Sequence, residues 1–178
     1  VAASLLSHLL NAASGGAQYR QESFLQGALG QPVCPPWLSL WEEPHIPRGN
    51  ASAPVDGDGV ATRRHAIVEH GTLATYVLSG YSARKLGLEP TGNASGVHNL
   101  VASSGTRDLD ALVGAIGRGL LVTELLGFGV NMTTGDYSRG AAGYWVEGGA
   151  IQYPVVEFTV AGNLRDMLLH IADIGTDV

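Results

Sequence analysis

The chain has 178 residues, with 10 Lys and Arg against 16 Asp and Glu and a net charge of -6. At that length one domain buries roughly 70% of the surface its unfolded chain exposes, so a core needs no covalent staples. The acidic balance leaves no basic stripe for nucleic acid, no apolar run approaches the about 18 residues of a membrane span, and the lone Cys34 excludes an internal disulfide or a multi-cysteine zinc site within the chain. A single thiol fits a reducing compartment, and burial is its expected fate.

Leu5, Leu6, Leu9, Leu10 and Ala13 recur at helical spacing, and Ser14-Gly15-Gly16 reads as the stop of a first helix. Phe24, Leu25, Ala28 and Leu29 predict a second short helix over Tyr19 to Leu29, ended by Gly30. Five prolines between Pro32 and Pro47 then break regular structure and leave Trp37 to Trp41 as a short strand, whose two tryptophans read as core or interface. Asp56-Gly57-Asp58-Gly59 has the start of a calcium loop without its later ligands or closing Glu, and reads as a turn. Ala61 to Val68 and Thr72 to Ser79 predict a hairpin about Glu69-His70-Gly71, with His65 and His70 exposed on it and not converging on a metal.

Ser79 is placed to cap a helix over Tyr81 to Leu86, closed by Gly87 with Arg84 and Lys85 in its last turn. Leu88 to Gly96 reads as a flexible loop, and Val97 to Ala102, with His98 and Asn99, as a strand. Leu109, Leu112, Val113 and Ile116 give a helical face led by Asp108 and Asp110. Gly114 to Gly119 is glycine-rich but closes this helix, whereas a phosphate-binding fingerprint joins a strand to a helix.

The stretch from Leu120 to Asn163 organises the rest. Gly148-Gly149 separates Tyr144 to Glu147 from Ile151 to Val155, a hairpin in which both glycines can take positive φ. Tyr144 and Val146 are expected on one face, opposed by Ile151, Tyr153 and Val155. Pro154 belongs on an edge or at a bulge, and the neighbours Val155 and Val156 predict a bulge. Asn163 caps a last helix whose face is Leu164, Met167, Leu168, Ile171 and Ile174. Hairpins with short helices interspersed predict an α+β fold built on an antiparallel, hairpin-rich sheet.

GDYSRGAAGYWVEGGAIQYPVVEFTVAGNLRDML, with LLVTELLGFGV before it and YSARKLGLEPTG earlier, resembles the carboxy-terminal half of the PmbA (TldE) branch of the TldD/PmbA family. The resemblance covers nearly the whole chain. It implies a cytoplasmic metallopeptidase system, described as modulators of DNA gyrase, in which a zinc-carrying TldD-like subunit pairs with a PmbA-type subunit. It also places an amino-terminal domain upstream, so residues 1–178 are expected to form a single carboxy-terminal domain. The implied partners are a TldD-like subunit, an extended peptide and a possible second copy in a homodimer, with neither nucleic acid nor membrane.

In the metal-carrying branch the helix comparable to the first one here holds His-Glu-x-x-x-His, two zinc ligands and a general base. Under that match Ser7 and Ala12 stand at the ligand positions and His8 at the glutamate. No metal, cofactor or catalytic residue is therefore expected in this chain, and zinc belongs to the partner. Ser138 lacks a Gly-x-Ser-x-Gly setting, Glu124, Asp136, Glu147 and Glu157 are scattered, and Asp136 with Arg139 reads as a local ion pair ordering a loop. The expected role is a subunit that shapes a peptide cleft, holding extended peptide by strand addition at the edge that Pro154 marks, for proteolysis and peptide maturation by the assembly. A self-associating, non-catalytic peptide-binding protein is the alternative.

Overall fold

The computed structural model describes residues 1–103 and 105–176. Among the described residues, five helices and seven strands follow in the order α1 (Ala2–Ala13), α2 (Gly15–Tyr19), β1 (Leu40–Glu42), β2 (His65–Glu69), β3 (Thr72–Leu73), α3 (Gly80–Leu86), β4 (Leu100–Ala102), α4 (Leu109–Gly114), β5 (Arg118–Leu126), β6 (Asp136–Glu147), β7 (Ala150–Asn163) and α5 (Leu164–Leu169). The strands make two antiparallel sheets, β3-β2-β1-β4 and β5-β6-β7. The fold is α+β, as expected.

The core lies where α1 and α5 meet the four-stranded sheet. Leu9, Leu38, Leu40, Ile67, Leu73, Leu164 and Leu168 are wholly buried there, beside Phe24 and Tyr137. Each such aliphatic side chain contributes roughly 1.5–3 kcal/mol of transfer free energy. Tyr137 brings the start of β6 into this core, whereas the far end of the β6-β7 hairpin leaves Ile151, Tyr153 and Val156 half to two-thirds exposed.

The hairpin turns at Gly148 and Gly149, with φ of 59° and 77°. Pairing is antiparallel, but Gln152 is an extra residue, so Val146 faces Ile151 while Trp145 faces Tyr153. Val156 and Glu157 lie opposite Ala142 alone, which is the predicted bulge, and Glu157 takes a φ of 58° to make it. Pro154 sits on β7, an edge strand, where its missing N–H breaks no ladder. The cap signals also hold: Ser79 and Ser82 form a capping box, Gly87 closes α3 at φ 68°, and Asp108 and Asn163 cap α4 and α5.

Other expectations fail for local reasons. Ser14 ends α1 and at once caps α2 by accepting from Ala17 N, so Gly15 and Gly16 start a helix instead of stopping one. Beyond Tyr19, where α2 ends, Arg20 to Leu29 is not helical. Gln21 and Gly27 take positive φ, and Phe24 N donates to Met132 O, so turns satisfy this backbone while still burying Phe24 and Leu25. Trp37 lies in a turn and is exposed, and Trp41 lies beneath Arg64, 4.0 Å from the ring centroid. The strand after Gly71 is two residues long because Val77 N turns away to donate to Ala13 O. The α4 helix lies between the two sheets in the chain, and the last helix, α5, stops at Leu169, short of the buried Ile174.

Candidate functional site

The first place of interest is the seam between α1 and the start of β6. Burial of Leu6, Leu9 and Ala13 fixes the orientation of α1 and leaves Ser7 exposed, its hydroxyl donating to Ala3 O at 3.0 Å. His8 meets Tyr137 edge-on, with ring centroids 6.0 Å apart. Alternation along β6 buries Tyr137, turns Arg139 to the same side and exposes Asp136 and Ser138 on the other. Arg139 Nη2 donates to Leu125 O on β5 at 3.1 Å. Burial lowers the His8 pKa, and the Arg139 charge lowers it further.

Two nitrogens at this seam, His8 Nε2 and Arg139 Nε, are buried without a hydrogen-bond partner. Such an unmet group costs about 1–3 kcal/mol. Arg139 forms no ion pair among the described residues. Asp136, its expected partner, lies on the opposite face and accepts instead from Thr134 Oγ1 at 2.7 Å and Asn163 Nδ2 at 3.3 Å. The local ion pair read from the sequence is thus corrected by strand geometry: residues three apart in a strand point to opposite sides.

Beside the seam, a cleft of about 610 Å³ runs between α1 and β5. Leu5, Leu6, Leu112, Leu121, Val122 and Ile174 are among its mostly apolar walls. β5 is an edge strand whose outer side has no strand partner among the described residues. At the rim, Asp173 pairs with Arg107, whose hydrogen bond holds this carboxyl below its usual pKa range.

Zinc does not fit α1. Of the three matched positions, Ala12 offers a methyl group and Ser7 a hydroxyl already spent on a carbonyl, which leaves a single imidazole where tetrahedral coordination needs at least three protein donors. Among the described residues no group of three or more His, Cys, Asp or Glu has metal-binding geometry. Burial pushes the Cys34 thiol up to about 12, leaving it a poor ligand or nucleophile.

A second cluster was missed by sequence reasoning. Glu42, 1% exposed at the end of β1, accepts from Asn93 Nδ2 at 2.8 Å to both oxygens and from His98 N at 2.9 Å, and His98 Nδ1 lies 2.5 Å from Oε1. His65 Nε2 is 3.3 Å from Oε2, within ion-pair reach but outside hydrogen-bond geometry. His65 is therefore mostly covered, contrary to expectation, while His70 is exposed in its turn. Asn93 and Thr91 are buried and bonded to each other, so the loop expected to be flexible is anchored at Glu42. Asp56 fixes the same loop by accepting from Ala94 N, and its other oxygen closes the predicted turn on Asp58 N and Val60 N. These contacts span up to 56 residues, and no local pattern announces them.

A sequence profile described as the PmbA/TldA metallopeptidase C-terminal domain matches residues 1–178. The chain is 49% identical over 178 residues to Metalloprotease PmbA of Escherichia coli O157:H7 and 51% identical over 179 residues to the Metalloprotease PmbA homolog of Haemophilus influenzae. Each match covers 100% of this chain and 40% of the relative, so the chain spans about two fifths of the length of these curated relatives. A Bacteroides thetaiotaomicron protein described as a candidate modulator of DNA gyrase has a solved structure that superimposes with a TM-score of 0.93 at 35% identity, over 98% of this chain and 39% of that one. No helix is long and apolar enough to cross a membrane among the described residues. By its sequence and its fold, the chain belongs to the PmbA/TldD metallopeptidase family.

Proposed function

We propose that this chain is the carboxy-terminal, peptide-holding domain of a PmbA/TldE-like subunit in a cytoplasmic heteromeric metallopeptidase. A TldD-like subunit carries the zinc, and proteolysis and peptide maturation are activities of the assembly. The observation that supports a holding role is the β5 edge: Leu121, Val122 and Thr123 line the mostly apolar cleft on a strand whose outer side has no strand partner among the described residues. An extended peptide added there forms main-chain hydrogen bonds indifferent to its sequence, while alternate side chains enter the cleft. The Pro154 edge named from sequence is the other edge of the same sheet.

A self-associating, non-catalytic binding protein is the second reading, favoured by the exposed apolar side chains Ile151, Tyr153 and Val156 on the hairpin. Peptidase assays of the full-length protein alone, and mixed with a zinc-bearing TldD-like subunit, separate the two. The proposed function requires turnover only in the mixture. Ser138→Ala is expected to leave that turnover within a few-fold of wild type, since loss of a nucleophile or base costs on the order of a thousand-fold or more. Abolished turnover with assembly and peptide binding intact would make this chain catalytic.

A further inference from the structure

Resting on the peptide-holding reading, we propose that His8 and Arg139 form a carboxylate-binding site that closes one end of the α1-β5 cleft and receives the carboxy-terminal carboxylate of the bound peptide. The cleft wall on α1 includes Leu5, and His8 lies three residues on, along the same side of the helix. The wall on β5 includes Thr123, and Arg139 is anchored two residues on, at Leu125 O. Both walls therefore lead from aliphatic side chains to a nitrogen donor.

The electrostatics select the ligand. Arg139 carries a charge that no carboxylate of the described residues pairs with, and its Nε is buried and unpartnered. One guanidinium edge is already positioned by the Leu125 carbonyl, so the group need not be ordered when a ligand arrives. His8 Nε2 is the second unmet nitrogen, and burial next to Arg139 favours its neutral form. The pair therefore presents one positive charge and two hydrogen-bonding nitrogens. A carboxylate matches that set, neutralising the guanidinium and accepting from both. A second cation would be repelled, and a neutral amide would leave the charge unpaired.

Two sources supply a carboxylate: a peptide's own terminus or an Asp or Glu side chain along it. The walls of the cleft are mostly apolar, so a chain that runs along them and stops at His8 and Arg139 buries aliphatic side chains and places its last group on the cation. The terminus is the expected source.

Fluorescence anisotropy on the full-length protein tests this with three labelled hexapeptides of alternating valine and alanine: one with a free carboxylate, one amidated, and one amidated with glutamate as its last residue. The free carboxylate is expected to bind on the order of ten- to a hundred-fold more tightly than the amide, the range for a charge-assisted contact. Arg139→Gln should lose that preference, so that the free carboxylate and the amide bind with equal affinity. His8→Leu should weaken it in part, and Arg139→Lys should restore part of the loss. Circular dichroism establishes that each variant is folded. A merely structural Arg139 would lower binding of all three peptides alike. If the glutamate peptide is preferred, the carboxylate site stands and its ligand is a side chain. Equal binding of all three by wild type overturns the carboxylate site while leaving the peptide-holding function intact. Binding of none overturns both.

Discussion

Replacing Glu42 by alanine should be among the most damaging single changes in this domain. Its carboxylate is 1% exposed and is the common acceptor for the Asn93 amide, the His98 main-chain N–H and the His98 ring, with His65 3.3 Å away. Truncation orphans up to three buried groups from the Asn93-His98 segment. Each orphan costs about 1–3 kcal/mol, and because they share one cavity and relax together, about 3–5 kcal/mol is the expected total. With a urea slope of about 2 kcal/mol/M, the midpoint should fall by about 2 M. Glu42→Gln keeps the shape and one acceptor oxygen, so a loss of about half that is expected. Urea unfolding followed by tryptophan fluorescence, which samples the adjacent Trp41, measures both. A Glu42→Ala midpoint within 0.5 M of wild type, on the order of 1 kcal/mol, would show that the cluster does not hold the loop to the sheet.

Two glycines with left-handed backbones should respond differently to alanine. At Gly71 (φ 77°) a Cβ would collide with the carbonyl oxygens of Cys34 and Pro35, whereas at Gly148 (φ 59°) nothing lies within 4 Å. Gly148→Ala should therefore cost about 1 kcal/mol and Gly71→Ala on the order of 3 kcal/mol or more, and equal shifts in Tm would contradict this. Asp56 makes an acid-limb prediction: burial raises its pKa, but the N–H groups of Ala94, Val60 and Asp58, together with His98, bring it below the ordinary value. A depressed folded-state pKa adds stability above the unfolded value of about 3.9, lost as pH falls through the folded one. The Tm of Asp56→Asn should fall less steeply than wild type below pH 4, and parallel curves would remove Asp56 from the account.

What the sequence made legible was local. Ser79 with Gly87, Asp108, and Asn163 each announce a helix end within a few residues, and Gly148-Gly149 with Val155-Val156 announces both the turn and the bulge of the hairpin. Tyr19 to Leu29 misled because Phe24 and Leu25 reach the core equally well from turns, once Met132 accepts from Phe24 N. Long-range pairing was invisible: Glu42, Asn93 and His98 meet only after β1, β2 and β4 come together. His8 and Arg139 were each singled out, yet their proximity depends on His8 of α1 packing against Tyr137 of β6, a long-range contact that no periodicity encodes.

The alternation of β6 also bears on which chemistry this chain can take part in. Ser138 and Arg139 are neighbours in sequence, but one faces outward and the other faces α1. A serine nucleophile needs a base within hydrogen-bond reach, and the nearby imidazole, His8, packs against Tyr137 on the side that Ser138 turns away from. Under the proposed function, α1 instead brings an imidazole, its pKa lowered by burial and by Arg139, beside a guanidinium, a pairing suited to gripping an anion. Under the proposed function, attack on the peptide bond then comes from the partner's metal, and this chain's contribution to rate is the alignment of the bound peptide, for which positioning alone can supply several kcal/mol.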